Sequence, residues 1–260
     1  YTALTFLVTF FVKKKSNKFN RWITVAQQRQ SYIQRTLISL LSSILRSISS
    51  LLLHLSIFII MLATSLSSAP QTTDFLPLNG TDYVEFYVGN AKQAAYYYQS
   101  AWGFEIVAYA GLETGLRDRS SFVMQQGKVR FVLTSALTPD SPIAQHVKKH
   151  GDGVKVLALW VDDAESAFNE TVKRGAKPAQ QPTVLSDEYG EAKVASIYTY
   201  GETIHTFVER KNYKGCFLPG FVARNSMIPV QSVGLQYIDH CVGNVNLGEM
   251  NKWVQFYEDV

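Results

Sequence analysis

Cysteine and histidine are scarce in this 260-residue sequence, which contains two cysteines and five histidines. Cys216 and Cys241 form no C-x-x-C pair, so a disulfide-rich scaffold and a cysteine-based zinc site are both excluded. The same scarcity fits a reducing compartment, and we expect a cytoplasmic protein. Because 47% of the residues are hydrophobic, the chain can bury a core and is not a disordered tail. The composition does not exclude a metal site with nitrogen and oxygen ligands.

Acidic residues are absent from the first 60 positions, although these hold 8 of the 25 lysines and arginines. The remaining residues carry 17 basic and all 21 acidic side chains, so their formal charge is −4, against +4 for the whole chain. Residues 61–260, the body of the chain, therefore have no broad positive electrostatic field that would attract phosphate groups. We therefore expect no nucleic-acid partner.

The amino-terminal segment also lacks an early methionine, since the first is Met61. Its most apolar stretch, 51–63, has 13 residues, whereas a membrane span needs roughly 20, so no membrane partner is expected. A signal peptide ending in Ser67 and Ala69 is one alternative. The favoured one is translation from codons upstream of Met61. We predict that residues 1–75 are a non-native or disordered leader that packs against nothing in the body.

An internal repeat organises the rest of the chain. The pattern of residues 83–90 returns 154 residues later at 237–244, with Val-Gly-Asn intact in both copies. Each copy alternates side chains as a strand does and ends in Gly-Asn, where glycine permits a turn and asparagine can cap a helix. A fainter copy lies 73 residues after the first, with Asp163 as the helix cap and Gly175 as the stop.

Three strand-like runs follow each of the first two predicted helices. They are 104–110, 120–125 and 128–136 in the first copy, and 177–185, 192–200 and 203–209 in the second. The order βαβββ, given twice, predicts an α+β fold with a mixed, strongly curved sheet and helices on its convex side. The predicted core consists of Phe86, Val88, Ala94, Tyr98, Phe131, Leu133, Leu157, Leu159, Phe168 and Phe207.

The same repeat predicts the domain boundaries. Residues 80–211 form one complete domain, and 212–232, which include Gly215, Pro219, Gly220 and Pro229, form a linker. The third copy, at 233–260, is then the truncated start of a second domain that ends inside a helix.

His240 is the candidate ligand that the repeat reveals, because the equivalent positions hold Phe86 and Leu159. A histidine on the first strand, with its ring toward the concave side, could bind a metal through one nitrogen while a neighbouring acceptor holds the other. The alternative is a satisfied core histidine. Strand alternation predicts that Asp239 and Cys241 face away, which makes Asp239 no co-ligand and Cys241 a small buried hydrophobe.

The other histidines of the body are interpreted as structural or solvated. His205 lies in the last predicted strand without a partner at a recognisable spacing, which favours a structural role. His146 and His150 have the i, i+4 spacing of a helical metal site. No glutamate accompanies them as in His-Glu-x-x-His, and Lys148 and Lys149 lie between them, so we predict a solvated helix face.

Residues 79–260 resemble the amino-terminal half of the 4-hydroxyphenylpyruvate dioxygenase family, within the vicinal oxygen chelate superfamily. The segments that carry the resemblance are VGNAKQAA at 88–95, GLETG at 111–115, QGKVRFVLTSAL at 126–137, KHGDGVK at 149–155, Asn212-Tyr213 with FLPG at 217–220, and IDHCVGN at 238–244. Each segment alone is weakly diagnostic, whereas all of them in this order are specific. The fold implied is a pair of βαβββ modules of the vicinal oxygen chelate type.

The resemblance implies a two-domain enzyme with a metal-free amino-terminal domain and Fe(II) held in the carboxy-terminal domain by two histidines and a glutamate. By motif match His240 is the first of these metal ligands, and the other two are expected beyond Val260. No catalytic or cofactor-binding residue apart from this ligand is then expected within the chain. The chain by itself should bind Fe(II) poorly and be inactive.

The implied reaction converts 4-hydroxyphenylpyruvate and O2 to homogentisate and CO2 in tyrosine breakdown, by a protein that is a homo-oligomer at full length. One alternative is 4-hydroxymandelate synthase, which is similar and uses the same substrate and iron site. The other is a non-enzymatic module that binds a small molecule in the bowl of residues 80–211. Against that module, Phe86, Val156 and Leu159 predict a bowl that is apolar and without polar anchors.

Overall fold

The structure is a computed structural model that describes residues 6–10 and 74–260. The apolar tract at 51–63 and the alternatives for it lie outside the described residues. Within the described part, a strand near the amino terminus and residues 74–260 belong to one compact unit. None of the helices in that part has both the length and the apolar character that a membrane crossing needs.

The first βαβββ module forms as the repeat predicts. It consists of β2 (Gly80–Tyr87), α1 (Ala91–Trp102), β3 (Glu105–Ala110), β4 (Arg119–Gln126) and β5 (Val129–Ala136). Asn90 caps α1 by accepting a hydrogen bond from the Gln93 amide at 3.0 Å. Gly103 ends the helix at φ 66°, a left-handed conformation that glycine adopts without strain.

The second module follows a connecting helix, α2 (Pro142–His150). It consists of β6 (Gly153–Trp160), α3 (Ala164–Lys173), β7 (Lys177–Asp187), β8 (Gly190–Tyr198) and β9 (Ile204–Glu209). Asp163 caps α3, and the predicted inward stripe is confirmed: the buried residues of this helix are Ala164, Ala167, Phe168 and Thr171. Small and apolar side chains at spacings of three and four are what a helix packed on a sheet requires.

The two modules share one mixed sheet, and a short strand, β10 (Val222–Ala223), joins it at one edge. The order of its nine strands is β10-β3-β4-β5-β2-β6-β9-β8-β7. Within each module the first strand pairs in parallel with the last: Phe86 lies opposite Leu133, and Leu159 lies opposite Phe207. The modules meet where β2 and β6 run antiparallel, with Val84 opposite Leu157. This topology confirms the α+β prediction.

The core lies mainly between the sheet and the helices. Val88, Phe131, Leu133, Phe168 and Phe207 are each at most 5% exposed, and the other predicted core residues are partly buried against the same clusters. A further cluster, on the sheet face that has no helix, joins Tyr83, Val132 and Val156 to Phe217 and Leu218. The segment predicted as a linker therefore packs on the sheet, and its strand β10 (Val222–Ala223) pairs with β3.

The third copy forms β11 (Ile238–Gly243) and α4 (Met250–Asp259). β11 pairs antiparallel with β1 (Phe6–Phe10) in a two-stranded sheet. The prediction that residues 1–75 pack against nothing in the body is therefore wrong for 6–10. The physical reason is that β11 offers backbone hydrogen-bonding groups along an edge, and an apolar, β-branched segment from any part of the chain can satisfy them.

Candidate functional site

His240 lies on β11, as predicted, and its ring is held by its sequence neighbour. Nδ1 lies 2.7 Å from Oδ2 of Asp239, and the two side chains are 47% and 41% exposed. Alternation along the strand predicted Asp239 on the opposite face, but the two partly exposed side chains turn toward each other. Asp239 thus provides an acceptor that holds the imidazole through Nδ1, which is the kind of neighbour that orients metal-binding histidines in proteins.

Cys241, the next residue, is partly buried against the core cluster that contains Phe131 and Leu133. Burial raises the pKa of its thiol to about 11, so the thiol stays protonated at neutral pH. This agrees with the interpretation of Cys241 as a small hydrophobe and gives no support to a thiolate ligand.

The cavity on the helix-free face of the sheet is more polar than predicted. It has a volume of about 370 Å³, and the side chains that line it include Glu85, Arg119, Ser121, Ser196 and Thr206. Phe86 and Leu159 instead pack in the clusters on the helix side. The predicted apolar bowl is wrong for Phe86 and Leu159, because successive strand residues face opposite sides. Glu85 and Tyr87, the neighbours of Phe86, line the cavity, and so does Val156, as predicted.

Glu85 is a carboxyl group in the lining of this cavity. Its carboxylate accepts a hydrogen bond from Thr134 Oγ1 at 2.7 Å, and Thr134 in turn lies 2.8 Å from Ser121 Oγ. Burial raises the pKa of Glu85, and the hydrogen bond from Thr134 opposes that shift. A carboxyl group in such surroundings is a candidate for ligand binding.

His146 and His150 do not form the solvated helix face that the sequence predicts. His146 is 8% exposed and packs edge-on against the Tyr87 ring at 5.4 Å. Burial lowers its pKa to about 4, so its imidazole is neutral at pH 7. His150 Nε2 lies 3.0 Å from Oε2 of Glu202, a residue 52 positions further along the chain. No spacing in the sequence predicts this partner, because only the fold brings α2 beside the turn before β9.

His205 is a satisfied core histidine, as expected. It is 5% exposed, its Nδ1 lies 3.3 Å from the Leu157 carbonyl oxygen, and its Nε2 lies 2.8 Å from the Tyr257 hydroxyl. Burial lowers its pKa to about 4. The contact with Tyr257 joins the second module to α4 of the third copy.

The double βαβββ architecture and its shared mixed sheet place the chain in the vicinal oxygen chelate fold class. A solved structure of a 4-hydroxymandelate synthase mutant from Streptomyces coelicolor has a similar fold, with a TM-score of 0.59 and 31% identity over 71% of this chain and 52% of that one. A family model described as "Hydroxyphenylpyruvate dioxygenase, HPPD, N-terminal" matches residues 73–218. The chain belongs to the hydroxyphenylpyruvate dioxygenase family.

Curated relatives support the same assignment. The 4-hydroxyphenylpyruvate dioxygenase of Yarrowia lipolytica is 46% identical over 189 residues, which are 69% of this chain and 48% of the relative. That of Aspergillus fumigatus is 42% identical over 222 residues, which are 76% of this chain and 55% of the relative. The chain thus spans about half the length of the relatives that it matches, and the family implies a metal cofactor.

Proposed function

We propose that the protein is an Fe(II)-dependent dioxygenase that converts 4-hydroxyphenylpyruvate and O2 to homogentisate and CO2 in tyrosine breakdown. The observation that carries the proposal is the family match over residues 73–218, together with 42–46% identity to dioxygenases of that name. His240 adds an imidazole at the position where the resemblance implies a metal ligand.

His240 on β11 is a suitable ligand for Fe(II), and it supplies one of the three ligands that the family resemblance implies. His240 would hold it through Nε2, while Asp239 fixes the ring through Nδ1 at 2.7 Å. When bound by two imidazoles and one carboxylate, a ferrous ion would supply open positions for a keto acid and dioxygen. We assign no other ligand of that triad within this chain. One imidazole alone should bind iron poorly, because the remaining affinity and the neutralising charge come from the other two ligands.

The runner-up reaction, that of 4-hydroxymandelate synthase, is favoured by the solved structure of similar fold. Its identity to this chain is 31%, below the 42–46% of the dioxygenases. The greater likeness to the dioxygenases supports homogentisate as the product.

A second candidate function is small-molecule binding in the cavity around Glu85. The specific observation in its favour is that cavity's polar lining, which provides a carboxyl, a guanidinium and hydroxyl groups where the sequence predicted apolar walls. Such convergent polar groups are typical of ligand pockets. This function requires neither iron nor His240.

The test uses the protein extended to the length of its relatives, loaded anaerobically with Fe(II). Oxygen uptake with 4-hydroxyphenylpyruvate is measured together with chromatographic identification of the product. We expect homogentisate, a loss of at least about 100-fold in turnover for His240→Ala, and near-normal turnover for Val242→Ala, which removes an exposed side chain from the same strand.

Two outcomes would contradict the proposal. Turnover that survives His240→Ala would remove His240 from the metal site, and hydroxymandelate as the product would replace the reaction by that of the runner-up. Absence of oxygen uptake in the iron-loaded, folded protein would favour the binding module.

The cytoplasmic location and the homo-oligomer stay proposals. Two cysteines without a disulfide, Cys216 and Cys241, support a reducing compartment. Fractionation of cells and light scattering of the purified full-length protein test the two proposals separately.

A further inference from the structure

A second group of metal-type ligands lies in the first domain, away from β11. The ligand atoms of His146, His150 and Glu202 all lie within 4.8 Å of one another. In tetrahedral coordination, ligand atoms about 2.1 Å from an ion are about 3.4 Å apart, so modest side-chain rotation would close the group around one ion. His150 Nε2 and Glu202 Oε2, at 3.0 Å, are already that close.

Two elements hold this group together. His146 and His150 are one helical turn apart on α2, and their ring centroids are 4.6 Å apart. Glu202 belongs to the turn Tyr200–Glu202 before β9. It is the one non-glycine residue in the described part of the chain that has a positive φ, which is 70°. A left-handed conformation is strained for glutamate and persists where surrounding contacts or a function demand it.

Burial and access also suit a bound ion. The side chains of His150 and Glu202 are 12% and 50% exposed, so the group is anchored on the helix side and open on the carboxylate side. A cavity of about 190 Å³ borders His150 and Glu202 and is also lined by Glu249 of the third copy. An ion can therefore reach the group from solvent.

Two lysines oppose a cation here, and they act on different atoms. Lys155 donates to the backbone oxygen of Glu202, which holds the turn and leaves the carboxylate for other partners. Lys149 pairs with Oε1 of Glu202, but its side chain is 62% exposed and can rotate into water at little cost. Lys149 is thus a competitor that an ion would displace.

We propose that His146, His150 and Glu202 form a binding site for a divalent transition-metal ion such as Zn²⁺ in the amino-terminal domain. Two imidazoles and one carboxylate are the donor set that such ions prefer over Mg²⁺ or Ca²⁺. The ion would tie α2 to the turn before β9 and so stabilise the junction of the two modules. The site is independent of the proposed dioxygenase reaction and of His240.

The experiment titrates the chelator-treated 260-residue chain with Zn²⁺ by calorimetry, and counts bound metal after dialysis. We expect Glu202→Gln and His150→Ala each to weaken Zn²⁺ binding by at least about tenfold, the smaller loss seen when even an outer partner of a ligand is removed. Lys149→Met should keep or tighten binding. Glu191→Gln, at another exposed glutamate, is the matched control and should leave binding unchanged.

Because His146 is buried, its variants can fail to fold. The Glu202 side chain is exposed, so Glu202→Gln tests the site without that risk. Circular dichroism checks that each variant is folded. Equal Zn²⁺ affinity in Glu202→Gln and the original chain would overturn the proposal. So would an absence of Zn²⁺ binding, which would leave the group an ion-pair cluster, or a loss of binding confined to His240→Ala, which would place the ion on β11.

Discussion

The first and third copies of the repeat share the Val-Gly-Asn turn, yet they differ in burial and in capping. α1 buries Ala91, Ala95 and Gln99 against its module's sheet, whereas α4 has no fully buried residue. Asn90 caps α1 directly, whereas α4 begins at Met250, six residues after Asn244, and has no side-chain cap. In the described part of the chain β11 pairs with β1 alone. A local motif is therefore sufficient for a strand and a helix, but burial requires a wide sheet behind them.

The largest expected effect compares phenylalanines on two equivalent helices. Phe168 of α3 is 3% exposed, while Phe256 of α4 is only partly buried. Phe168→Ala should lower the free energy of unfolding by about 4 kcal/mol, because it leaves a cavity in a closed core. Phe256→Ala should lower it by about 1 kcal/mol. Urea unfolding followed by circular dichroism measures both, and equal losses would show that α4 is as well packed as α3.

The next effect concerns buried charge in the first copy. Asp82, 4% exposed, accepts hydrogen bonds from Arg210 Nε at 2.7 Å and from Arg130 at 3.3 Å. Asp82→Asn leaves two guanidinium groups without a carboxylate and should cost about 3 kcal/mol of stability. Asp239→Asn, on the exposed β11, should change stability by less than about 0.5 kcal/mol. A small loss at Asp82 in the same unfolding assay would contradict the buried network.

Acid should weaken the junction between the second module and the third copy. The pKa of His205 is lowered to about 4 by burial, while an unfolded histidine has a pKa near 6.5. Between these values the unfolded state binds a proton that the folded state does not, so stability is present above pH 6.5 and falls toward pH 4, by about 2–3 kcal/mol.

The pH dependence of thermal unfolding checks this prediction. His205→Gln should reduce the slope between pH 6.5 and 4 and leave the part that comes from His146, whose pKa burial also lowers to about 4. Tyr257→Phe, which removes only the hydroxyl 2.8 Å from Nε2, should leave the slope in place. An unchanged slope in His205→Gln would assign the acid sensitivity to another group.

The smallest effect concerns helix caps. Asn90→Ala and Asp163→Ala should each destabilise the protein by about 1 kcal/mol, because each removes a side-chain acceptor from the first turn of its helix. Glu249→Ala, at the start of α4, should change stability by less than about 0.5 kcal/mol, since its side chain caps nothing. Thermal unfolding distinguishes these values, and a loss at Glu249 equal to that at Asn90 would contradict the comparison.

The accuracy of the sequence predictions follows the range of the interactions involved. The buried stripe of α3 and the cap Asp163 could be predicted because they depend on residues three or four apart. The group of His146, His150 and Glu202 could not, because its members come from two elements that only the fold brings together. The pairing of β1 with β11 was missed for the same reason.

The amino-acid sequence by itself determined the repeat, the order βαβββ, the helix caps and the family, since these depend on local spacing and on residue identity. The tertiary structure alone decided which strand face lines a cavity, placing Glu85 there and Phe86 in the core, and which distant groups meet, as Asp82 does with Arg210. The physical reason is that the periodicity of a strand defines its two faces but does not determine which face packs against other parts of the protein. Covering depends on elements that come from elsewhere in the chain.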